Sequence, residues 1–147
     1  MNPYFEQAIL HAEPVKLIGM IYQQAISSVR EAREHLREKR IQERSDAIMR
    51  AYRALTELNA ALRPESSPEI ASRLMGLYSY MMQRLLDANA QQADAPLEEV
   101  LGLLSTLAEG WASVAENLAP VEDTGGKSRW NGEISTAESP SGYAICA

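Results

Sequence analysis

Cysteine, histidine and phenylalanine are scarce in this sequence. Its 147 residues include one cysteine, one phenylalanine and two histidines. The lone Cys146 cannot form a disulfide within the chain, which fits a reducing compartment. The two histidines, His11 and His35, are far apart in sequence and have no cysteine near them, so no spaced set of metal ligands is present. We therefore expect neither a metal nor another cofactor.

Long apolar runs and an excess of positive charge are also missing. No apolar stretch approaches the ~20 residues that a membrane-spanning helix needs. Residues 1–6 lack the basic segment and apolar run of a signal peptide. We therefore expect a cytoplasmic chain without membrane insertion. The formal net charge of -6 argues against nucleic-acid binding, because a phosphate-binding surface needs clustered positive charge.

Motifs for catalysis are missing as well. No glycine-rich phosphate-binding loop occurs, and Cys146 has no neighbouring base that would make it a nucleophile. His35 lies among charged residues on the polar side of a predicted helix. It is interpreted as a solvated histidine, with phosphotransfer on a helical bundle as the alternative. We predict that the protein is not an enzyme.

Four segments with the helical period occupy most of the chain. Ala, Leu, Glu, Gln and Met are plentiful, which favours helix over strand. Apolar residues recur at helical spacing over approximately residues 14–39, 41–62, 68–92 and 95–118. Ser67 and Pro68 mark the start of the third segment. Because short connections make successive helices antiparallel, we predict an all-α, up-down-up-down four-helix bundle.

The boundaries of this bundle are marked unevenly. Residues 38–41 contain no Gly, Asn or Pro, so one long helix through the first two segments is the alternative to two helices. Residues 120–147 are rich in Gly, Ser, Thr, Pro and acidic residues without an apolar period, which predicts a disordered tail. The predicted organisation is an N-terminal segment (1–12) that packs on the bundle, the bundle (13–119) and the tail (120–147).

The second and third segments carry a wider apolar face than a bundle helix needs. On the third, a first stripe is widened by further apolar residues to about half the circumference: Met75, Tyr78, Met82, Leu85 and Leu86. This surface is interpreted either as core shared between two neighbouring helices or as a groove for a partner. Flexible methionine side chains suit surfaces that accept imperfect partners.

Several runs of residues resemble those of the flagellar secretion chaperones that serve flagellin. The third segment, with EIASRL at 69–74 and LYSYMMQRLLDAN at 77–89, is similar to the third-helix signature of that family. The fourth segment carries the family-like runs EEV at 98–100, GLLS at 102–105 and AEGW at 108–111. Near the start, NPY at 2–4 and AEPVKLI at 12–18 also resemble the family. The likeness covers residues 2–118 in order.

The resemblance implies a cytosolic, helical-bundle export chaperone that binds the disordered C-terminal region of flagellin. Such binding would prevent premature polymerisation and aid delivery to the flagellar type III export apparatus. An export-gate component or other flagellar regulators are further partners that the resemblance suggests. A helical adaptor for another flagellar or regulatory protein is the alternative.

The resemblance also implies where the partner would bind. Tyr4 would belong to an N-terminal lid that covers apolar surface when no client is present. The expected apolar walls are Tyr22, Ile26, Ile48, Tyr52 and Leu55. The expected groove floor is Tyr78, Met82 and Leu85, and the expected polar anchors are Tyr80, Arg84 and Asn89.

Overall fold

The computed structural model describes residues 14–118, which form four α-helices and no strand. We number them α1 (Pro14–Arg37), α2 (Ile41–Ala60), α3 (Pro68–Gln91) and α4 (Ala95–Leu118). Helix α1 packs against α2 and α4, and α3 packs against the same two helices. The predicted all-α four-helix bundle is therefore confirmed. The predicted lid (1–12) and tail (120–147) lie outside the described residues.

The connection between α1 and α2 is a tight turn built without glycine. Lys39 has a φ of 59°, in the left-handed region that glycine usually occupies at the end of a helix. The Lys39 N–H donates to the Leu36 carbonyl at 3.2 Å, and the Arg40 N–H donates to the His35 carbonyl at 2.9 Å. These two bonds form the Schellman arrangement that ends a helix. The prediction of two helices is confirmed, and the alternative of one long helix is wrong.

Helix α3 begins at a proline and ends at a residue with a left-handed conformation. Pro68 occupies its first turn, where the missing N–H is not needed. Ser67 stands at the N-cap position, but its side chain makes no capping hydrogen bond. At the other end, Gln92 has a φ of 52°, and the N–H groups of Gln92 and Ala93 both donate to the Ala88 carbonyl. The short link to α4 therefore also uses a left-handed residue that is not glycine.

The core combines buried alanines with larger side chains that come from all four helices. Alanines at the contact between α1 and α2 are almost completely buried: Ala25, Ala32, Ala47, Ala51 and Ala54. Larger side chains fill the space from α3 and α4: Met81, Leu85, Leu97 and Leu104. Because each fully buried Leu or Met contributes about 1.5–3 kcal/mol, these residues stabilise the bundle.

Within residues 14–118, no helix is both long enough and apolar enough to cross a membrane.

Candidate functional site

A groove of about 560 Å³ runs between the first half of α1 and the second half of α4. Twelve residues line it: Val15, Lys16, Gly19, Met20, Tyr22, Gln23, Gln24, Ser27, Ala108, Trp111, Ala112 and Ala115. We call this surface the α1–α4 groove. Its α4 wall was absent from the sequence prediction, which drew its candidate residues from the other helices and the N-terminal segment.

Trp111 sets the shape of the α1–α4 groove. Its indole Nε1–H donates to the backbone carbonyl of Val15 at 2.8 Å, so the ring is tied across the gap between the two helices. A Cβ atom at Gly19 would lie 3.5 Å from Trp111 Cδ1. The glycine therefore leaves open the space next to the indole. Trp111 is itself buried, and its ring forms a fixed apolar wall.

The chemistry of the α1–α4 groove suits an amphipathic peptide. The α4 side offers small apolar side chains, the alanines at positions 108, 112 and 115, which allow close approach. The α1 side adds Gln23, Gln24 and Ser27, which can hydrogen-bond a peptide backbone. Among the described lining residues Lys16 is the one with a charge. The groove therefore favours a partner with an apolar face and a polar or acidic edge.

Two predicted wall residues lie next to this groove on α1. Tyr22 lines it and is 4% exposed, and Ile26 is buried one helical turn further on. The hydroxyl of Tyr22 lies 2.7 Å from the hydroxyl of Tyr78 on α3. This buried hydrogen bond links helices that stand diagonally across the bundle. It fixes the position of the Tyr22 ring in the floor of the groove.

Three other predicted contact residues lie in the middle of the core. Ile48 and Leu55 on α2 and Leu85 on α3 are fully buried. Their side chains pack against the other helices and offer no surface to a partner in this arrangement. In the described structure they support the shape of the bundle.

Tyr52 and Met82 lie on the opposite side of the bundle, between α2 and α3. Both are half-buried, and Thr56 Oγ1, one turn after Tyr52, lies 3.7 Å from Met82 Sδ. Helical spacing places three exposed apolar residues on the same side: Met49, Met75 and Leu86. We call these five residues, Met49, Tyr52, Met75, Met82 and Leu86, the α2–α3 patch. The structure separates it from the α1–α4 groove, although the sequence prediction placed residues of both in one site.

Two predicted polar anchors, Tyr80 and Arg84, meet at one carboxylate of α4. The Tyr80 hydroxyl donates to Glu99 Oε2 at 2.6 Å, and Arg84 Nε donates to Glu99 Oε1 at 2.9 Å. Arg84 also donates through Nη1 to Asp87 Oδ2 at 3.3 Å. The bonds from Tyr80 and then Arg84 hold the pKa of Glu99 below its ordinary value. The bond to Glu99 raises the pKa of Tyr80.

The third polar anchor, Asn89, is held by α2. Its Oδ1 accepts hydrogen bonds from Arg44 Nε at 3.0 Å and Ser45 Oγ at 3.1 Å. Arg44 is only 5% exposed, and its Nη2 also donates to the Asn89 backbone carbonyl at 3.5 Å. A cation at the C-terminal end of α3 is stabilised by the helix dipole. The side-chain oxygen of Asn89 is therefore occupied by hydrogen bonds that join α2 to α3.

Two sequence candidates remain, Tyr4 and His35. Tyr4 lies outside the described residues. His35 is half-buried rather than solvated, and its Nδ1 is buried with no hydrogen-bond partner in the described part of the chain. No group of three or more His, Cys, Asp or Glu residues within 14–118 could hold a metal ion.

Comparisons with known proteins agree with the resemblance seen in the sequence. The family described as flagellar protein FliS matches residues 1–118. The flagellar secretion chaperone FliS of Salmonella typhimurium is 37% identical over 111 residues, covering 75% of this chain and 82% of the relative. The FliSB chaperone of Pseudomonas aeruginosa is 31% identical over 110 residues, covering 75% and 87%. The Escherichia coli chaperone FliS is 29% identical over 107 residues, covering 72% and 79%.

Proposed function

Because this chain belongs to the FliS family of flagellar secretion chaperones, we propose that its client is flagellin. The chain would bind the disordered C-terminal region of flagellin in the cytosol. Bound client could not polymerise prematurely and would be delivered to the flagellar type III export apparatus. No catalytic step is part of this proposal.

The observation that carries the proposal is the α1–α4 groove. It is apolar on its α4 side, carries hydrogen-bonding side chains on its α1 side and has a rigid wall at Trp111. A disordered client segment could fold into it as an amphipathic helix, with its apolar side chains against the alanines of α4. Ordering the client costs roughly 2–5 kcal/mol of the gross interaction. That cost keeps the complex dissociable, as export requires.

The N-terminal segment is proposed as a lid for the same groove. Pro14 begins α1 next to the groove residue Val15, and Tyr4 precedes Pro14 by ten residues. Ten extended residues span up to about 35 Å, which is enough for Tyr4 to reach any part of the groove. A lid attached beside the groove would compete with client and keep apolar surface covered until flagellin arrives.

The predicted contact residues take different roles in this proposal. Tyr22 would contact client directly, with Ile26 supporting it from behind. Tyr80, Arg84 and Asn89, together with Tyr52 and Met82, would contact parts of the client that extend beyond the groove. Ile48, Leu55, Tyr78 and Leu85 would act by holding the helices in position, because all four are buried.

The proposal is tested by titrating the chain with a peptide of the C-terminal region of flagellin from the same organism. Saturable binding is expected. Ala112→Glu puts a carboxylate into the groove. It should weaken binding about tenfold or more, because Ala112 is exposed in the free chain and bound client would bury the new charge. Ser113→Glu is the matched control, since Ser113 is exposed and does not line the groove.

Two results would contradict the proposal. Equal affinity of the two glutamate variants would remove the groove as the client site. Absence of binding to flagellin, together with binding to another flagellar or regulatory protein, would favour the adaptor alternative.

A further inference from the structure

Glu99 joins α3 to α4 at the surface through two side chains of α3. Tyr80 donates to one of its oxygens at 2.6 Å and Arg84 to the other at 2.9 Å. Both carboxylate oxygens are therefore occupied, and the phenol and the guanidinium are held in one geometry. The chain places this arrangement on an exposed face, where Tyr80 is 45% exposed.

Two glycines, one on each helix, stand about one helical turn from this contact, with open space beside them. Gly76 precedes Tyr80 by four residues on α3, and Gly102 follows Glu99 by three on α4. A Cβ atom at either glycine would have no neighbouring atom within 4 Å. Each glycine within a helix costs about 1 kcal/mol relative to alanine, and no internal contact in the described structure requires either of them.

Arg84 is not a free cation in this arrangement. Its guanidinium is shared between Glu99 and Asp87, at 2.9 and 3.3 Å. One positive and two negative charges leave the group with a net charge of about -1 at neutral pH. A client carboxylate is therefore disfavoured here, while an apolar side chain, a cationic side chain or a backbone N–H is acceptable.

We propose that Glu99 is a positioning residue for client binding, which holds the Tyr80 ring ready to receive the flagellin segment. This inference rests on the proposed function. An exposed tyrosine normally loses side-chain freedom when a partner binds it. A ring fixed beforehand at its hydroxyl avoids part of that loss, which is the benefit of preorganisation. The client would lie across the ring, close to the backbone at Gly76 and Gly102.

The test measures affinity and stability together in the full chain, with the flagellin C-terminal peptide as the probe. Glu99→Ala and Tyr80→Phe should each weaken binding by about three- to tenfold, the factor expected when one more side chain has to be immobilised on binding. The double variant should lose no more affinity than either single variant, because both changes break the bond between Tyr80 and Glu99. Glu31→Ala is the matched control, since Glu31 pairs with Arg50 between α1 and α2. Its affinity should equal that of the wild type.

Two outcomes separate the inference from the proposed function. If the wild type binds the peptide while Glu99→Ala lowers only the thermal midpoint, Glu99 merely joins two helices and the inference is overturned. Multiplicative losses in the double variant would overturn it equally, because Tyr80 and Glu99 would then act independently. Failure of the wild type to bind would overturn the proposed function and the inference with it.

Discussion

Replacing Gly19 by alanine should stabilise the bundle without closing the α1–α4 groove. Gly19 lies inside α1, where glycine costs about 0.8–1.0 kcal/mol relative to alanine. The new methyl group would lie 3.5 Å from Trp111 Cδ1 and 3.7 Å from Nε1, which are ordinary contact distances. No clash offsets the gain. We expect the free energy of unfolding to rise by about 0.5–1 kcal/mol, or a few degrees in thermal midpoint for a domain of this size.

The assay is urea unfolding followed by circular dichroism, with Gly110→Ala as the control. A Cβ atom at Gly110 would have nothing within 4 Å, so that substitution reports helix propensity alone. The two variants should gain similar stability. One methyl group occupies little of a 560 Å³ groove, so Gly19→Ala should keep its affinity for the flagellin peptide. Gly19→Phe should instead fill the space beside Trp111 and block binding.

If Gly19→Ala destabilised the chain by about 1 kcal/mol or more while Gly110→Ala stabilised it, a methyl group would not fit beside Trp111. The described geometry of the groove wall would then be wrong.

Three further substitutions test the fold. Leu85→Ala should cost about 2–5 kcal/mol in chemical unfolding because Leu85 is fully buried; a cost below 1 kcal/mol would mean that Leu85 is not core. Lys39→Gly should stabilise by up to about 1 kcal/mol, since Lys39 has a φ of 59°; a loss of stability would contradict the left-handed turn. Asp94 receives two 2.8 Å bonds from Arg33, which lower its pKa, so this pair stabilises the fold at neutral pH and loses its effect as the pH falls through that lowered pKa. Wild type should be more stable than Asp94→Asn by at most about 1 kcal/mol, because Asp94 is 43% exposed. This advantage should shrink between pH 7 and pH 3, and an advantage independent of pH would contradict the role of the pair.

The four helices were predictable because their apolar period and proline boundaries are local signals. The turn at Lys39 was not, since a lysine there gives no sign of a left-handed conformation. That turn is stabilised by hydrogen bonds to Leu36 and His35 and by the packing of α1 on α2. The residue types of the turn therefore gave no local sign of the break between α1 and α2.

The candidate site was less predictable, because a stripe of apolar residues does not show which members face a neighbour. Leu85 and Met82 share one side of α3, yet one is fully buried and the other lies at the edge. The hydrogen bond between Tyr22 and Tyr78 joins residues 56 positions apart, which no local pattern reveals. Glu99 was missed because an acidic residue near the start of α4 already has an explanation in the helix dipole.

Flagellin binding is measured most simply by calorimetric titration of the chain, with and without residues 2–12, against the flagellin C-terminal peptide. We expect saturable binding with a negative heat-capacity change, since apolar surface is buried. Removing the proposed lid should tighten binding several-fold, because a competing occupant is gone. Absence of binding by both forms would contradict the claim that flagellin is the client of this chain.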